Sequence, residues 1–187
     1  MPEHLHHRAA SIMFSHRGCI RKCDFCAVPK LEGKPFQIRP NSRIAHLVHE
    51  DHKRVILWDN NVLGESHWRD LFAELRELNV EVDFNQGLDA RLVTEEVAHE
   101  LITLKIPTIR FAYDFPGMRK GMERAIRNLE RAGLRKKSHR YAHICCYVLY
   151  NYRDTPEEFI RSGPGPSGMG DRCIPDAVSA SEWRACA

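Results

Sequence analysis

The sequence has no apolar run approaching the ~18–20 residues that a membrane-spanning helix needs. Its opening residues, Met1-Pro2-Glu3-His4-Leu5-His6-His7, lack the apolar core of a secretory signal. The three early histidines read as a frayed end. These two absences predict a cytoplasmic protein with no membrane partner. Charge of one sign is also scarce. The net charge is +3 at pH 7, too little to imply nucleic-acid binding by itself. Disorder is excluded as well, because 43% of the residues are hydrophobic and 28% charged. At 187 residues the chain has room for one sizeable core, not two.

What the sequence does have is cysteine. There are seven, an odd number, and three fall within eight residues. Without an export signal, a metal or cluster site in a reducing compartment fits better than a disulfide framework.

The rest of the chain alternates short apolar runs with amphipathic ones. Strands are expected at Ser11–Ser15, Arg54–Trp58, Val80–Asn85, Thr108–Tyr113 and Ala142–Tyr150, each bounded by turn residues. Helices are expected between them. Asn41 or Ser42 can cap one carrying Ile44, Leu47 and Val48. Ser66 can cap the next, with Leu71, Phe72, Leu75 and Leu78 inward. Thr94 can cap a third with Val97, Ala98, Leu101 and Leu104. A fourth carries Met118, Met122, Ile126 and Leu129 and closes at Gly133. Thr155-Pro156 opens a fifth. Repeated strand–helix units mean an α/β fold with parallel strands, a barrel or part of one, with a doubly wound sheet as the alternative. The stretch 162–187 contains Gly-Pro-Gly-Pro and no amphipathic period, so a poorly ordered tail is expected after a folded part at 1–161.

The first strand runs into Ser15-His16-Arg17-Gly18-Cys19-Ile20-Arg21-Lys22-Cys23-Asp24-Phe25-Cys26. The spacing is C-x3-C-x2-C. Three thiolates on one short loop can ligate three irons of a cubane cluster. Gly18 permits a sharp turn. Arg17, Arg21 and Lys22 favour the thiolate forms and offset a negative cluster. The same cysteines with His16 could instead close a four-ligand zinc shell, making the chain a zinc-binding interaction module. Cys145 and Cys146 are adjacent on a strand and point to opposite faces, so both cannot reach one metal.

This motif, with Phe25 before its last cysteine, resembles the cluster loop of the radical S-adenosylmethionine (radical SAM) superfamily. The resemblance spans about Ser11–Ile160. It implies an enzyme with a partial, TIM-like (β/α) barrel of about five to six parallel strands, truncated at its C-terminal end. It implies that Cys19, Cys23 and Cys26 hold a [4Fe–4S] cluster with one iron left open for S-adenosylmethionine. Reductive cleavage would then give methionine and a 5′-deoxyadenosyl radical that abstracts a substrate hydrogen. A flavodoxin- or ferredoxin-like protein would supply the electron. A truncated, non-catalytic remnant that keeps the loop is the other outcome. There is no D-x-H-x-x-G cobalamin signature and no second cysteine cluster.

Barrel sites lie at the C-terminal ends of the strands. The family's second strand ends in a glycine- and glutamate-containing stretch that receives the methionine amino group. Here that place holds Asp59-Asn60-Asn61, whose oxygens can accept from an ammonium. The third strand ends in Asn85-Gln86-Gly87-Leu88-Asp89-Ala90-Arg91. Arg91 can grip a carboxylate of the cosubstrate through its fork, while Asn85, Gln86 and Asp89 can face a polar substrate. The resemblance places Asp114 on the ribose hydroxyls and Phe25 beside the adenine. Plainer readings stand next to these. Asp59-Asn60-Asn61 can be an Asx turn, Asp89 and Arg91 a surface pair, Asp114 a turn residue, and Lys30 and Glu32 solvated charges.

From Arg119 to Arg140 nine Lys or Arg face two Glu. A solvated helix face is the first reading. Contact with RNA, a nucleotide or an acidic partner is the sharper one, but the aromatic interleaving that single-strand binding needs is missing.

Overall fold

The computed structural model describes residues 10–37, 43–134 and 143–149. It divides into two compact units, Met1–Leu88 with Thr103–Pro107, and Asp89–Ile102 with Thr108–Ala187.

The first unit is built on a parallel sheet. Strands β1 (Ala10–Met13), β4 (Arg54–Leu57) and β5 (Glu81–Phe84) lie in the order β1-β4-β5. Ile12 pairs with Ile56, and Ile56 with Asp83. Alternation therefore sends Ser11, Met13, Val55, Leu57, Val82 and Phe84 to one face, where all six are buried. Helix α2 (Trp68–Leu78) turns Leu71, Phe72 and Leu75 inward, and the Phe72 ring lies 5.6 Å from that of Phe84. Each such side chain contributes about 1.5–3 kcal/mol by leaving water. The opposite face carries Arg54, ion-paired to Asp83 at 2.7 Å and to Glu81 at 3.3 Å. It also carries Ile12, which stays 57% exposed.

Two short elements bracket the cysteines. β2 (His16–Arg17) pairs antiparallel with β3 (Phe36–Gln37), and α1 (Val28–Leu31) lies between them with a proline in its first turn. The pairing closes the base of the loop, and Cys19 N–H donates to the Gly33 carbonyl at 3.2 Å. Gly18 turns at φ +82°, and a Cβ there would sit 2.3 Å from the Lys34 carbonyl oxygen. Only glycine fits. Gly18→Ala is expected to cost about 2–4 kcal/mol, read as a lower urea midpoint.

In the second unit β6 (Thr108–Tyr113) pairs parallel with β7 (His143–Val148). Helices α3 (Glu95–Ile102) and α4 (Arg119–Ala132) accompany them. Thr94 Oγ1 accepts from Val97 N–H at 3.2 Å, the expected cap of α3. Gly133 ends α4 at φ +110°, returning its N–H to the carbonyls of Leu129 and Glu130. Met118, Met122, Ile126 and Leu129 are all buried. Lys120, Arg124, Arg127 and Arg131 lie on the exposed side of α4.

Two expected elements differ. The helix expected to begin at Asn41 or Ser42 is, in its described part, a 3-10 turn at Ala45–Leu47. A carboxylate from another element takes over its start: buried Glu74 of α2 accepts from Ile44 N–H at 3.0 Å and Ala45 N–H at 2.8 Å. Ser66 does not cap α2, because its hydroxyl is engaged by Glu65 and His67 at 2.9 Å each. The helix expected at Thr155-Pro156 and the tail at 162–187 lie outside the described residues. Among the described residues the parallel strands form small sheets and no closed barrel. No helix among them is long and apolar enough to cross a membrane.

Candidate metal centre

Cys19, Cys23 and Cys26 are in no disulfide and are each partly exposed, on the loop that β2 and β3 close. Cys26 N–H donates to the Cys23 carbonyl at 3.0 Å, a tight turn that holds the last two in register. Cys19 Sγ receives Arg21 N–H at 3.3 Å and Asn61 Nδ2 at 3.8 Å. N–H groups aimed at a sulfur suit a thiolate that carries charge. Phe25 on the same loop is 45% exposed. Among the described residues, no three His, Cys, Asp or Glu side chains gather around a point that could hold a metal ion. The donor set nonetheless fits a cluster with one open iron in type and number, with three cysteines outside any disulfide on one loop.

The end of β4 stands against this loop. Asp59 is 2% exposed, and its Oδ1 accepts from Ser15 N–H at 2.8 Å, Ser15 Oγ at 2.7 Å and His16 N–H at 2.7 Å. His16 Nδ1 lies 2.8 Å from the same oxygen. Asp59 therefore fastens the end of β4 to the strand that enters the cysteine loop. Its other oxygen, Oδ2, is buried and has no hydrogen-bond partner among the described residues, and the same holds for Asn61 Oδ1. Buried acceptors without donors are rare and call for an explanation. Asn61 precedes the 3-10 turn Val62–Gly64 but makes no side-chain cap to it. The plain Asx-turn reading therefore does not describe its side chain, which is directed to Cys19 instead.

His16, the proposed fourth zinc ligand, is 1% exposed, and its Nδ1 is committed to Asp59. Its Nε2 is buried without a partner.

Glu32 was read as a solvated charge, and that reading is corrected. Its Oε2 accepts from Gly18 N–H at 2.8 Å, Asn60 Nδ2 at 2.8 Å and Arg17 Nε at 3.1 Å, while Arg17 Nη2 reaches Oε1. Burial pushes the Glu32 carboxyl up, but the Gly18 N–H, the Arg17 guanidinium and the Asn60 amide outweigh it and hold it below the ordinary carboxylate value. Arg17, expected to offset a cluster charge, is thus tied to Glu32 and also covers the Phe14 ring at 4.1 Å. The local sequence around Glu32, Leu31-Glu32-Gly33-Lys34, carries no cue for this. The partners lie 14, 15 and 28 residues away.

At the end of β5 Gln86 Nε2 donates to Asn85 Oδ1 at 3.2 Å, with Gln86 exposed. In the second unit Asp89 takes up the Arg91 fork. Nε meets Oδ1 at 2.7 Å and Nη2 meets Oδ2 at 3.1 Å. The fork that the sequence offers to an outside carboxylate is filled from two residues away. Arg91 is further fixed by α4, since Arg124 donates to its carbonyl at 2.8 Å. Asp114, at the end of β6, is pushed above the ordinary carboxylate value by burial. Arg91 opposes that rise, and Asp89 adds to it. A raised value in the fold means that stability increases as pH falls through it toward the ordinary 3.8. Asp114→Asn is therefore expected to melt at the same or a higher temperature at pH 7 and to gain less than wild type on acidification. Thermal melts at two pH values test this.

The structure thus brings Cys19, Asp59, Asn60 and Asn61 together within the first unit, and Asp89, Arg91 and Asp114 within the second. Comparison with protein-family models, curated proteins and solved structures gave no match for this chain.

Proposed function

We propose that this chain is a radical SAM enzyme, with Cys19, Cys23 and Cys26 as ligands of a [4Fe–4S] cluster. The observation that carries the reading is the pair of buried, unpartnered acceptors, Asp59 Oδ2 and Asn61 Oδ1, against a loop of three cysteines spaced C-x3-C-x2-C. Such acceptors suit the N–H groups of an amine. Once reduced by an external electron donor, a cluster of this kind would supply the electron that cleaves S-adenosylmethionine to methionine and a 5′-deoxyadenosyl radical, which would abstract a hydrogen from the substrate.

The chain's own residues would bind and orient. Asp59 Oδ2 and Asn61 Oδ1 accept from the amino group. Asn61 Nδ2 donates to Cys19 Sγ and softens its charge. Phe25 would pack beside the adenine, and Asn85 and Gln86 would face a polar substrate. The Arg91 fork, held by Asp89, reaches a carboxylate only by sharing that partner. The same reading includes the partial barrel, a small flavodoxin- or ferredoxin-like reductant and a cytoplasmic setting.

Anaerobic reconstitution tests it. A brown protein with about four irons and four sulfides per chain supports the reading. A colourless protein with one zinc overturns it in favour of an interaction module.

A further inference from the structure

We propose that the outer face of α4 is a docking surface for the phosphate backbone of double-stranded RNA. The positive charge of the chain is concentrated there. α4 carries five cations and two carboxylates, a surplus equal to the net charge of the whole chain, +3. At about 100° per residue, Lys120, Arg124, Arg127 and Arg131 fall within an arc of about 60° and run about 16 Å along the helix. All four are exposed. Met122, Ala125, Ile126 and Leu129 face the opposite way and are buried, so packing fixes the direction of the stripe. Glu123 and Glu130 lie to one side of it, about 60–80° around the helix from Lys120.

The charges of the stripe are weakly engaged. Among the described residues Lys120 makes no ion pair. Arg124 donates to the Arg91 carbonyl at 2.8 Å, a neutral acceptor that leaves its charge uncancelled. Arg127 stands 3.9 Å from Glu123. Arg131 meets Glu95 at 3.0 Å, but both side chains are 68% exposed, and such surface pairs yield readily.

The composition of the face selects its occupant. The exposed residues of α4 are Arg119, Lys120, Arg124, Arg127, Glu130 and Arg131, none of them apolar. A protein partner needs apolar or aromatic anchors at the centre of its interface. Single strands need aromatic platforms for their bases. Reading adenine in the DNA major groove needs Asn or Gln amides. The face offers none of these. A phosphate backbone needs only cations, and the Arg fork matches its oxygens. Duplex RNA is recognised largely through shape and phosphate contacts, which suits such a face. This surface does not depend on the cysteine loop holding a cluster.

Binding of the full chain to an RNA duplex of about 16 base pairs is measured by fluorescence anisotropy over a range of salt. Wild type is expected to bind, with affinity falling steeply as salt rises, and to prefer this duplex to a DNA duplex or a single strand of the same sequence. The triple variant Lys120→Ala, Arg127→Ala, Arg131→Ala should bind about tenfold more weakly at about 0.1 M salt, with its salt slope reduced by about three. Lys30→Ala, Lys34→Ala, Lys53→Ala removes the same charge from exposed positions outside α4 and should change little. If the stripe variant does not fold by circular dichroism, Lys120→Glu alone should weaken binding and lower the slope. No binding by wild type at low salt overturns the proposal, as does an equal loss in the two triple variants. DNA or single-stranded RNA bound as tightly overturns the assignment to duplex RNA. Poly-glutamate bound as tightly overturns it in favour of an acidic protein partner.

Discussion

Cys23→Ala is expected to abolish both the cluster and S-adenosylmethionine cleavage while leaving the fold intact. Cys23 is partly exposed, and Cys26 N–H bonds to its carbonyl, which alanine retains. Removing the thiol should therefore change stability by less than about 1 kcal/mol. The chemistry is less forgiving. Three thiolates anchor three irons, and losing one leaves the cubane on two attachment points. The other four cysteines give no local replacement, since the next in sequence is Cys145. Iron and sulfide should fall to a small fraction of wild type, and 5′-deoxyadenosine formed under reducing conditions should drop to background. Wild type that loads a cluster yet forms no more 5′-deoxyadenosine than Cys23→Ala would mark the chain as a non-catalytic remnant. Equal iron in both proteins would show that the loop does not hold it.

The contrast between loop and strand ends shows what the sequence could and could not tell. The cysteine motif draws its reading from local features, since spacing, a turning glycine and an aromatic residue fit within a dozen positions. Five of the seven described strands are legible for the same reason, each being a short apolar run between turn residues, whereas the two-residue strands β2 and β3 are not. Thr94 and Gly133 were also local, since a cap is decided within one turn of its helix. What was not legible depends on distant partners. Glu32 stands between Leu31 and Gly33 with no local cue, and its contacts appear only when Gly18 and Asn60 arrive from other parts of the chain. Glu74 starts the 3-10 turn at Ala45–Leu47 from about thirty residues away. Arg91 is the local case: the pair with Asp89, its plainer reading, is formed within two residues by a carboxylate that meets its fork at 2.7 and 3.1 Å.

Asp59 separates holding the fold from holding a ligand, because its two oxygens have different work. Oδ1 takes two buried backbone N–H groups, a hydroxyl and an imidazole nitrogen, whereas Oδ2 takes none. Asp59→Ala strands those donors in the core, at a cost of about 3–5 kcal/mol. In a chain of this size that is roughly 10 °C in Tm. Asp59→Asn differs. Its carbonyl can stay at the Oδ1 position and keep the donors satisfied, so the loss should be about 1 kcal/mol. Its NH2 then stands at the Oδ2 position, where a donor meets the amino group that an acceptor is needed for. Asp59→Asn is accordingly expected to melt within a few degrees of wild type and to keep its iron. It should lose S-adenosylmethionine affinity by at least about tenfold. Melting temperature and ligand affinity measured on the two variants decide the matter. If Asp59→Asn binds as tightly as wild type, the orphaned oxygen is not a ligand contact, and Asp59 serves the loop alone.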